Sequence, residues 1–257
     1  MSRNELTVRS LSTGYPGRPV IRDITLAPIR SGEVTALVGP NAAGKSTLLR
    51  ALAGLLPARG EAMLGETDIL HLPAKARADV VGFMPQTAPQ AAGLTVLEGM
   101  LSALHLTGSP QTGSFLDQAV DVLSRIGIAD LALEPLHRLS GGQRQLASFA
   151  QSIVRQPKLL LLDEPTSALD LRHQFEVMNL VREYVREGRI AIVVLHDLTF
   201  AARWAENIVV MASGQLECVG VPSNAITPPM LASIYGVTAR VERCSQGFLQ
   251  VMVDRRA

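Results

Sequence analysis

A nearly continuous apolar run, Val34–Val38, leads straight into Gly39-Pro40-Asn41-Ala42-Ala43-Gly44-Lys45-Ser46-Thr47, and an amphipathic pattern starts where that string ends. The string fits G-x-x-x-x-G-K-[ST], and the order around it is strand, loop, helix. Its glycines let the backbone turn back on itself, so that successive N–H groups cradle an anion at a helix N-terminus. Lys45 is placed to reach the β and γ phosphates of a nucleotide, and the Ser46 hydroxyl to ligate Mg²⁺. The strand that carries such a loop reads as buried on both faces, as in a parallel sheet covered by helices.

Two further apolar runs supply neighbours for that strand. Residues 159–162 are four leucines, and residues 190–195 read Ile-Ala-Ile-Val-Val-Leu. Helical stripes alternate with them. Leu48, Leu49, Leu52, Leu55 and Leu56 read as one helix face, and Leu171, Phe175, Met178 and Val185 as another. The alternation predicts an α/β doubly wound domain. From about 94 to 155 the pattern is helical, with no convincing strand. Thr95 and Glu98 have capping-box spacing ahead of Leu101 and Leu104. Leu116, Ala119, Val120, Leu123 and Ile126 form a second stripe, and Leu146, Phe149, Ala150 and Ile153 a third; Gly108, Pro110 and Gly113 separate the first two. A helical insert is expected inside the α/β core. Beyond Val219 the pattern weakens, and Pro222, Pro228 and Pro229 read as breaks ahead of a short appendix.

The other two strands also end in polar side chains, at the carboxyl edge where doubly wound sheets hold ligands. Residues 159–162 lead into Asp163-Glu164-Pro165. Two adjacent carboxylates after four leucines are costly to bury unpaired. The functional reading gives Asp163 to Mg²⁺ and makes Glu164 the general base for an attacking water; the bland reading is a surface turn. His196 follows the third strand, where an imidazole is able to contact a γ-phosphate, although a lone histidine is commonly structural. Leu139-Ser140-Gly141-Gly142-Gln143 precedes the third helical stripe. Ser140 and Gln143 have capping-box spacing. Gly141 and Gly142 are poor helix formers that leave bare backbone suited to an anion. Cap and anion site are compatible.

Composition narrows the partners. With 47% hydrophobic and 18% charged residues the chain is able to bury a large core, which argues against global disorder. The formal charge of +1 gives no basic excess, so no nucleic-acid partner is expected. Cys218 and Cys244 form no metal-ligand spacing and read as free thiols in a reducing compartment. No signal peptide is read at Met1-Ser-Arg-Asn-Glu-Leu, and no apolar run approaches the ~18 residues of a membrane span. Any work at a membrane is expected to depend on another chain.

Taken together and in this order, the phosphate-loop string, Leu139 to Gln143, the leucine run with Asp163-Glu164-Pro165, and His196 closely resemble the ATPase subunits of ABC transporters. The resemblance runs from about Leu6 to Arg240. It implies a P-loop NTPase core: a RecA-like mixed sheet with flanking helices and an N-terminal antiparallel β region, interrupted by an α-helical subdomain. The expected division is a single domain over 1–257, with core 1–90 and 156–220, helical subdomain 91–155, and appendix 221–257. By the same resemblance Tyr15 stacks on adenine, and Gln86, in Phe83-Met-Pro-Gln, senses Mg²⁺ and the γ-phosphate. Ser167-Ala-Leu-Asp170 resembles the dimer-contacting loop, with Asp170 also suited to cap the next helix. ATP and Mg²⁺ are the implied ligands. Two copies are implied to meet head to tail, each ATP lying between the phosphate loop of one and Ser140-Gly141-Gly142-Gln143 of the other. Transmembrane permease subunits, and through them a substrate-binding protein, are the further partners implied, at the cytoplasmic face of the inner membrane.

Three segments are similar to the ATPases of iron-chelate importers, which take up ferric siderophores, haem or cobalamin: Thr166-Ser-Ala-Leu-Asp-Leu-Arg-His-Gln174, His196-Asp-Leu-Thr-Phe-Ala-Ala-Arg203 and Ile234-Tyr-Gly-Val-Thr-Ala-Arg-Val241. Two features depart from the pattern. Ala42 stands where the family usually has glycine, and residues 100–108 lack the Gly-Arg-x-Pro-His-like stretch common in those ATPases. An exporter motor and a soluble ATPase of iron–sulfur assembly are the alternatives. A two-motor translation factor and a coiled-coil DNA-maintenance protein fit less well, because the chain has one phosphate loop and no long heptad run.

Overall fold

A computed structural model describes residues 5–87, 93–105, 113–167 and 169–256. The chain opens with β1 (Glu5–Tyr15), β2 (Arg18–Arg30) and β3 (Val34–Val38), followed by α1 (Lys45–Leu52), β4 (Ala58–Leu64), β5 (Thr67–Asp68), α2 (Ala74–Val80) and β6 (Val81–Met84). Three helices come next: α3 (Val96–His105), α4 (Phe115–Ile126) and α5 (Gly141–Ile153). The core resumes with β7 (Leu159–Asp163), α6 (Leu171–Arg186), β8 (Ile190–Val194), α7 (Leu198–Trp204), β9 (Asn207–Ala212) and β10 (Gln215–Gly220). The end of the chain holds α8 (Pro222–Ala225), α9 (Pro228–Tyr235), β11 (Val237–Arg243) and β12 (Leu249–Arg256).

The apolar runs form a six-stranded sheet of order β10-β9-β3-β8-β7-β6. Its pairings are parallel except for β9 with β10. Successive residues of a strand face opposite sides, and both sides are covered here. Leu160 and Leu162 of β7 join one core with Val34, Ala36 and Val38; Leu159 and Leu161 join a second with Leu37. All four leucines are fully buried, and each contributes about 1.5–3 kcal/mol by leaving water. The first core is completed by α3–α7. The second is completed by α1 and by an antiparallel sheet of order β2-β1-β4-β5. This is the mixed sheet, N-terminal antiparallel region and helical insert that the resemblance implies.

Between Gly93 and Ile153 the described residues form helices and short turns, with one isolated bridge from Thr95 to Pro135. The Thr95–Glu98 capping box is present: the Thr95 N–H donates to the Glu98 carboxylate at 2.7 Å and Glu98 N–H returns to Thr95 Oγ1 at 3.2 Å. Gly108 and Pro110 lie outside the described residues.

Several stripes are narrower than expected. Helix α1 ends at Leu52, because Gly54 turns left-handed at φ 73°; Leu55 is 61% exposed and Leu56 lies beyond the helix. Leu171 and Phe175 are exposed on the first turns of α6, and the buried face is Val177, Met178, Val181, Tyr184 and Val185. Leu116 and Val120 are exposed on α4. The prolines after Val219 begin helices rather than break them. Pro222 opens α8 and Pro228 opens α9, where the missing N–H would have had no helical partner. Leu231 and Ala239 from this region are buried in the main core.

Candidate functional site

The phosphate loop leaves β3 at Gly39 and enters α1 at Lys45. Gly39 has φ 148° and Gly44 φ 101°. A Cβ on Gly39 would stand 2.0 Å from the Met211 carbonyl oxygen, so only glycine fits beside β9. Ala42, in glycine's usual place, takes φ 64°. The Ala43 N–H closes a turn onto Pro40 O at 3.2 Å, and the Ala43 carbonyl accepts from Gly214 N–H at 3.0 Å. Lys45 is buried, and its Nζ donates to the carbonyls of Gly39 at 2.7 Å and Pro40 at 2.9 Å. That burial lowers the Lys45 pKa, and the Glu164 and Asp163 carboxylates oppose the shift.

Ser46 and Asp163 meet beneath the loop. The Ser46 hydroxyl donates to Asp163 Oδ1 at 2.9 Å. Asp163 is fully buried, and its Oδ2 has no partner among the described residues. Burial pushes its pKa up, although the Ser46 hydrogen bond pulls the other way.

Glu164 follows with φ 55°, a left-handed conformation uncommon for a residue with a Cβ. Three groups hold its carbonyl: Gln145 Nε2 at 3.1 Å, Ser167 Oγ at 3.1 Å and the Ser167 N–H at 3.3 Å. The turn aims the side chain back over the loop. Its Oε2 accepts from Gln86 Nε2 at 2.7 Å, and its Oε1 lies 2.5 Å from His196 Nε2. Gln86 follows β6, Glu164 follows β7 and His196 follows β8, so the carboxyl ends of adjacent strands bring the three together.

A cleft of about 680 Å³ lies over this edge, walled by Tyr15, Arg18, Val20, residues 41–47, Gln86, Glu164 and His196. Tyr15 ends β1 and lies at the cleft 39% exposed, with its hydroxyl accepting from Arg50 at 3.0 Å. Asp163 joins the cleft only through Ser46. Ser140, Gly141, Gly142, Gln143 and Asp170 do not line it. Ser140 caps α5: its hydroxyl accepts from Gln143 N–H at 3.2 Å, and Gln143 Oε1 accepts from Ser140 N–H at 2.9 Å. Asp170 caps α6, accepting from His173 N–H at 2.9 Å. The loop before it contains Ala168, which lies outside the described residues.

Sequence reasoning passed over five residues here. Arg18 and Val20 wall the cleft without a motif of their own. Gly214 supports the loop, and a Cβ there would stand 1.8 Å from Val20 O; the Ser213-Gly214 pair was a legible turn signal. Gln145 is a polar residue buried beside the apolar stripe of α5, a pattern that calls for a partner. Tyr235 packs against the phosphate loop, and burial pushes its phenol up to about 12 while the Gly39 backbone opposes the shift.

Comparison with known proteins gives this arrangement its family. The family model described as ABC transporter matches residues 22–167, more than half of the chain. The hemin import ATP-binding protein HmuV of Rhodopseudomonas palustris (strain HaA2) is 35% identical over 251 residues, 94% of each chain. The cobalamin import ATP-binding protein BtuD of Halobacterium salinarum (strain ATCC 29341 / DSM 671 / R1) is 33% identical over 240 residues, 92% of this chain and 60% of that one. Among solved structures, a dimeric post-hydrolysis state of an ATP-binding cassette bound to ADP and phosphate aligns with a TM-score of 0.76 and 25% identity, over 84% of this chain and 98% of that one. The chain therefore belongs to the ABC transporter family, as an ATP-binding and ATP-hydrolysing cassette.

Proposed function

We propose that this chain is the motor of an importer for hemin or a related metal chelate, cobalamin included. The import reading is carried by the end-to-end match to a hemin import ATP-binding protein. The chemistry rests on the position of Glu164, held by Gln86 and His196 above the phosphate loop. In this reading Tyr15 stacks on adenine, and the N–H groups of residues 39–47 with Lys45 hold the phosphates. Glu164 takes a proton from the attacking water, and His196 contacts the γ-phosphate. Mg²⁺ suits the donors available. The partnerless Asp163 Oδ2 and the Ser46 hydroxyl supply hard oxygen ligands, with Gln86 nearby, and the ion would neutralise charge between the β and γ phosphates.

The dimer belongs to the same reading. Residues 140–143 supply anion-binding backbone at the start of α5 but do not wall their own chain's cleft, which supports a second copy bringing them to the ATP, with Asp170 in the loop between the copies. Core 1–90 and 156–220 grips the nucleotide, helical subdomain 91–155 carries the signature segment, and appendix 221–257 completes the fold. No helix among the described residues is long and apolar enough to cross a membrane. In this reading permease subunits hold the chain peripherally at the inner membrane, and a substrate-binding protein delivers cargo to them.

The test has two arms. Glu164→Gln is expected to keep ATP binding and to slow hydrolysis by at least about 10²-fold; near-normal turnover removes Glu164 as the base. With its permease in vesicles, the chain is expected to drive ATP-dependent uptake of hemin. Uptake of cyanocobalamin alone moves the cargo to the corrinoid, and uptake of neither withdraws the import reading.

A further inference from the structure

Arg50 has no part in the phosphate-loop motif, yet it connects the two ends of the nucleotide cleft. It lies on α1 four residues after Ser46, on the same helix face, and its NH1 donates to the Tyr15 hydroxyl at 3.0 Å. Tyr15 is the last residue of β1, before the turn into β2, and stands 39% exposed at the wall of the cleft. An exposed ring at a strand end is free to change rotamer unless its polar tip is tied. A hydrogen bond to a phenolic oxygen holds that tip and leaves the ring face open for a base.

We infer that Arg50 is a positioning residue: through the Tyr15 hydroxyl it fixes the ring in its base-stacking orientation from the same helix whose N-terminus receives the phosphates. The inference rests on the reading of Tyr15 as the stacking residue. Its consequence is that α1 sets both ends of nucleotide recognition. The ring's rotamer entropy is then spent on folding rather than on binding. Arg50 is partly buried and does not itself line the cleft; its charge also acts on Asp163, and its hydrogen bond toward the base end of the cleft is the one to Tyr15.

The experiment compares the affinities of the full-length chain for ADP, which has a base, and pyrophosphate, which has none, by titration calorimetry with displacement for the weaker ligand. Arg50→Met is expected to weaken ADP by about two- to tenfold, the cost of ordering one side chain on binding. Pyrophosphate should be unaffected. Tyr15→Phe keeps the ring and loses the anchor, so it should match Arg50→Met. The double variant should lose no more than either single one, and Arg50→Lys should recover part of the loss. A merely structural role for Arg50 would move pyrophosphate as well, because α1 carries the phosphate loop. Equal loss of both ligands, additive single effects, or an Arg50→Met chain that binds ADP normally while Tyr15→Ala does not would each overturn the inference. Should Arg50→Met fail to fold, Tyr15→Phe decides alone: normal ADP binding beside a weakened Tyr15→Ala overturns it. Normal ADP binding by Tyr15→Ala overturns the stacking reading, and the inference falls with it.

Discussion

Ala42 carries a cost that the sequence already hinted at. Its φ of 64° lies in the left-handed region, where a Cβ crowds the following carbonyl by roughly 1–2 kcal/mol. Glycine removes that crowding and gives back about 0.4–1 kcal/mol through a freer unfolded chain. Ala42→Gly is therefore expected to raise stability by about 0.5–1 kcal/mol, and Ala42→Val to lower it by more; denaturant titration reads both. Asp163 carries a larger cost. Its burial raises its pKa above the unfolded value, so the ionised form weighs against folding. Stability from this group is therefore present below the unfolded pKa and is lost as pH rises through the folded one. Asp163→Asn keeps the shape and removes the charge, and should stabilise the nucleotide-free chain at neutral pH by about 1–3 kcal/mol while abolishing hydrolysis. The gain should shrink as pH falls through the carboxyl range, because the native aspartate then takes up its proton. A gain that stays constant with pH would mean that packing, not charge, is responsible. Both residues were marked in the sequence by their motifs. The positive φ of Glu164 was not, because it depends on the hold of Gln145 and Ser167 on one carbonyl.

In the proposed function, helix α5 serves fold and site with the same atoms. Its capping box uses Ser140 and Gln143 and leaves Gly141 and Gly142 with bare backbone at the N-terminus. Ser140→Ala loses the cap and should cost about 1 kcal/mol of stability. Ser140→Asp keeps a capping oxygen and adds a charge that repels phosphate. It should hold stability near wild type while hydrolysis falls, a separation visible by pairing thermal melts with ATPase assays. If both variants lose activity only in proportion to stability, Ser140 is a cap and no more. Helices with a clear cap or a one-sided stripe were legible in advance, as at Thr95–Glu98 and Ser140–Gln143. The stripes that failed did so at their ends. Leu55 and Leu56 continue the period of α1, but Gly54 stops the helix first. Leu171 and Phe175 keep the helical spacing of α6 while its first turns stand clear of the core. Periodicity reports which residues share a face and is silent on how far that face is covered.

At the scale of the molecule, β3, β7 and β8 were legible because both faces are buried and their apolar runs are nearly continuous. The C-terminal region was not, since its prolines look alike in a list of residues whether they end a helix or begin one. The cleft of one chain has the phosphate loop, Gln86, Glu164 and His196 along its wall, but none of residues 140–143, which the proposed function assigns to a second copy. A complementation experiment turns that gap into a prediction. One chain carries Lys45→Ala, which loses the phosphate grip; the other carries Ser140→Arg, whose bulk and charge spoil the backbone anion site. Both also carry Glu164→Gln, so that an ATP-bound dimer persists. Alone, each variant places one lesion at both sites of its homodimer. Mixed, the intact phosphate loop of one chain faces the intact Ser140 segment of the other, and the second site carries both lesions. If sites form between chains, the mixture should give more ATP-dependent dimer than either variant alone, with one labelled ATP per heterodimer by size-exclusion chromatography. If each site lies within one chain, every site is damaged and mixing gains nothing. A chain carrying both lesions, paired with one carrying neither, is the control: between chains, each of its sites keeps one lesion, and that pair should not close.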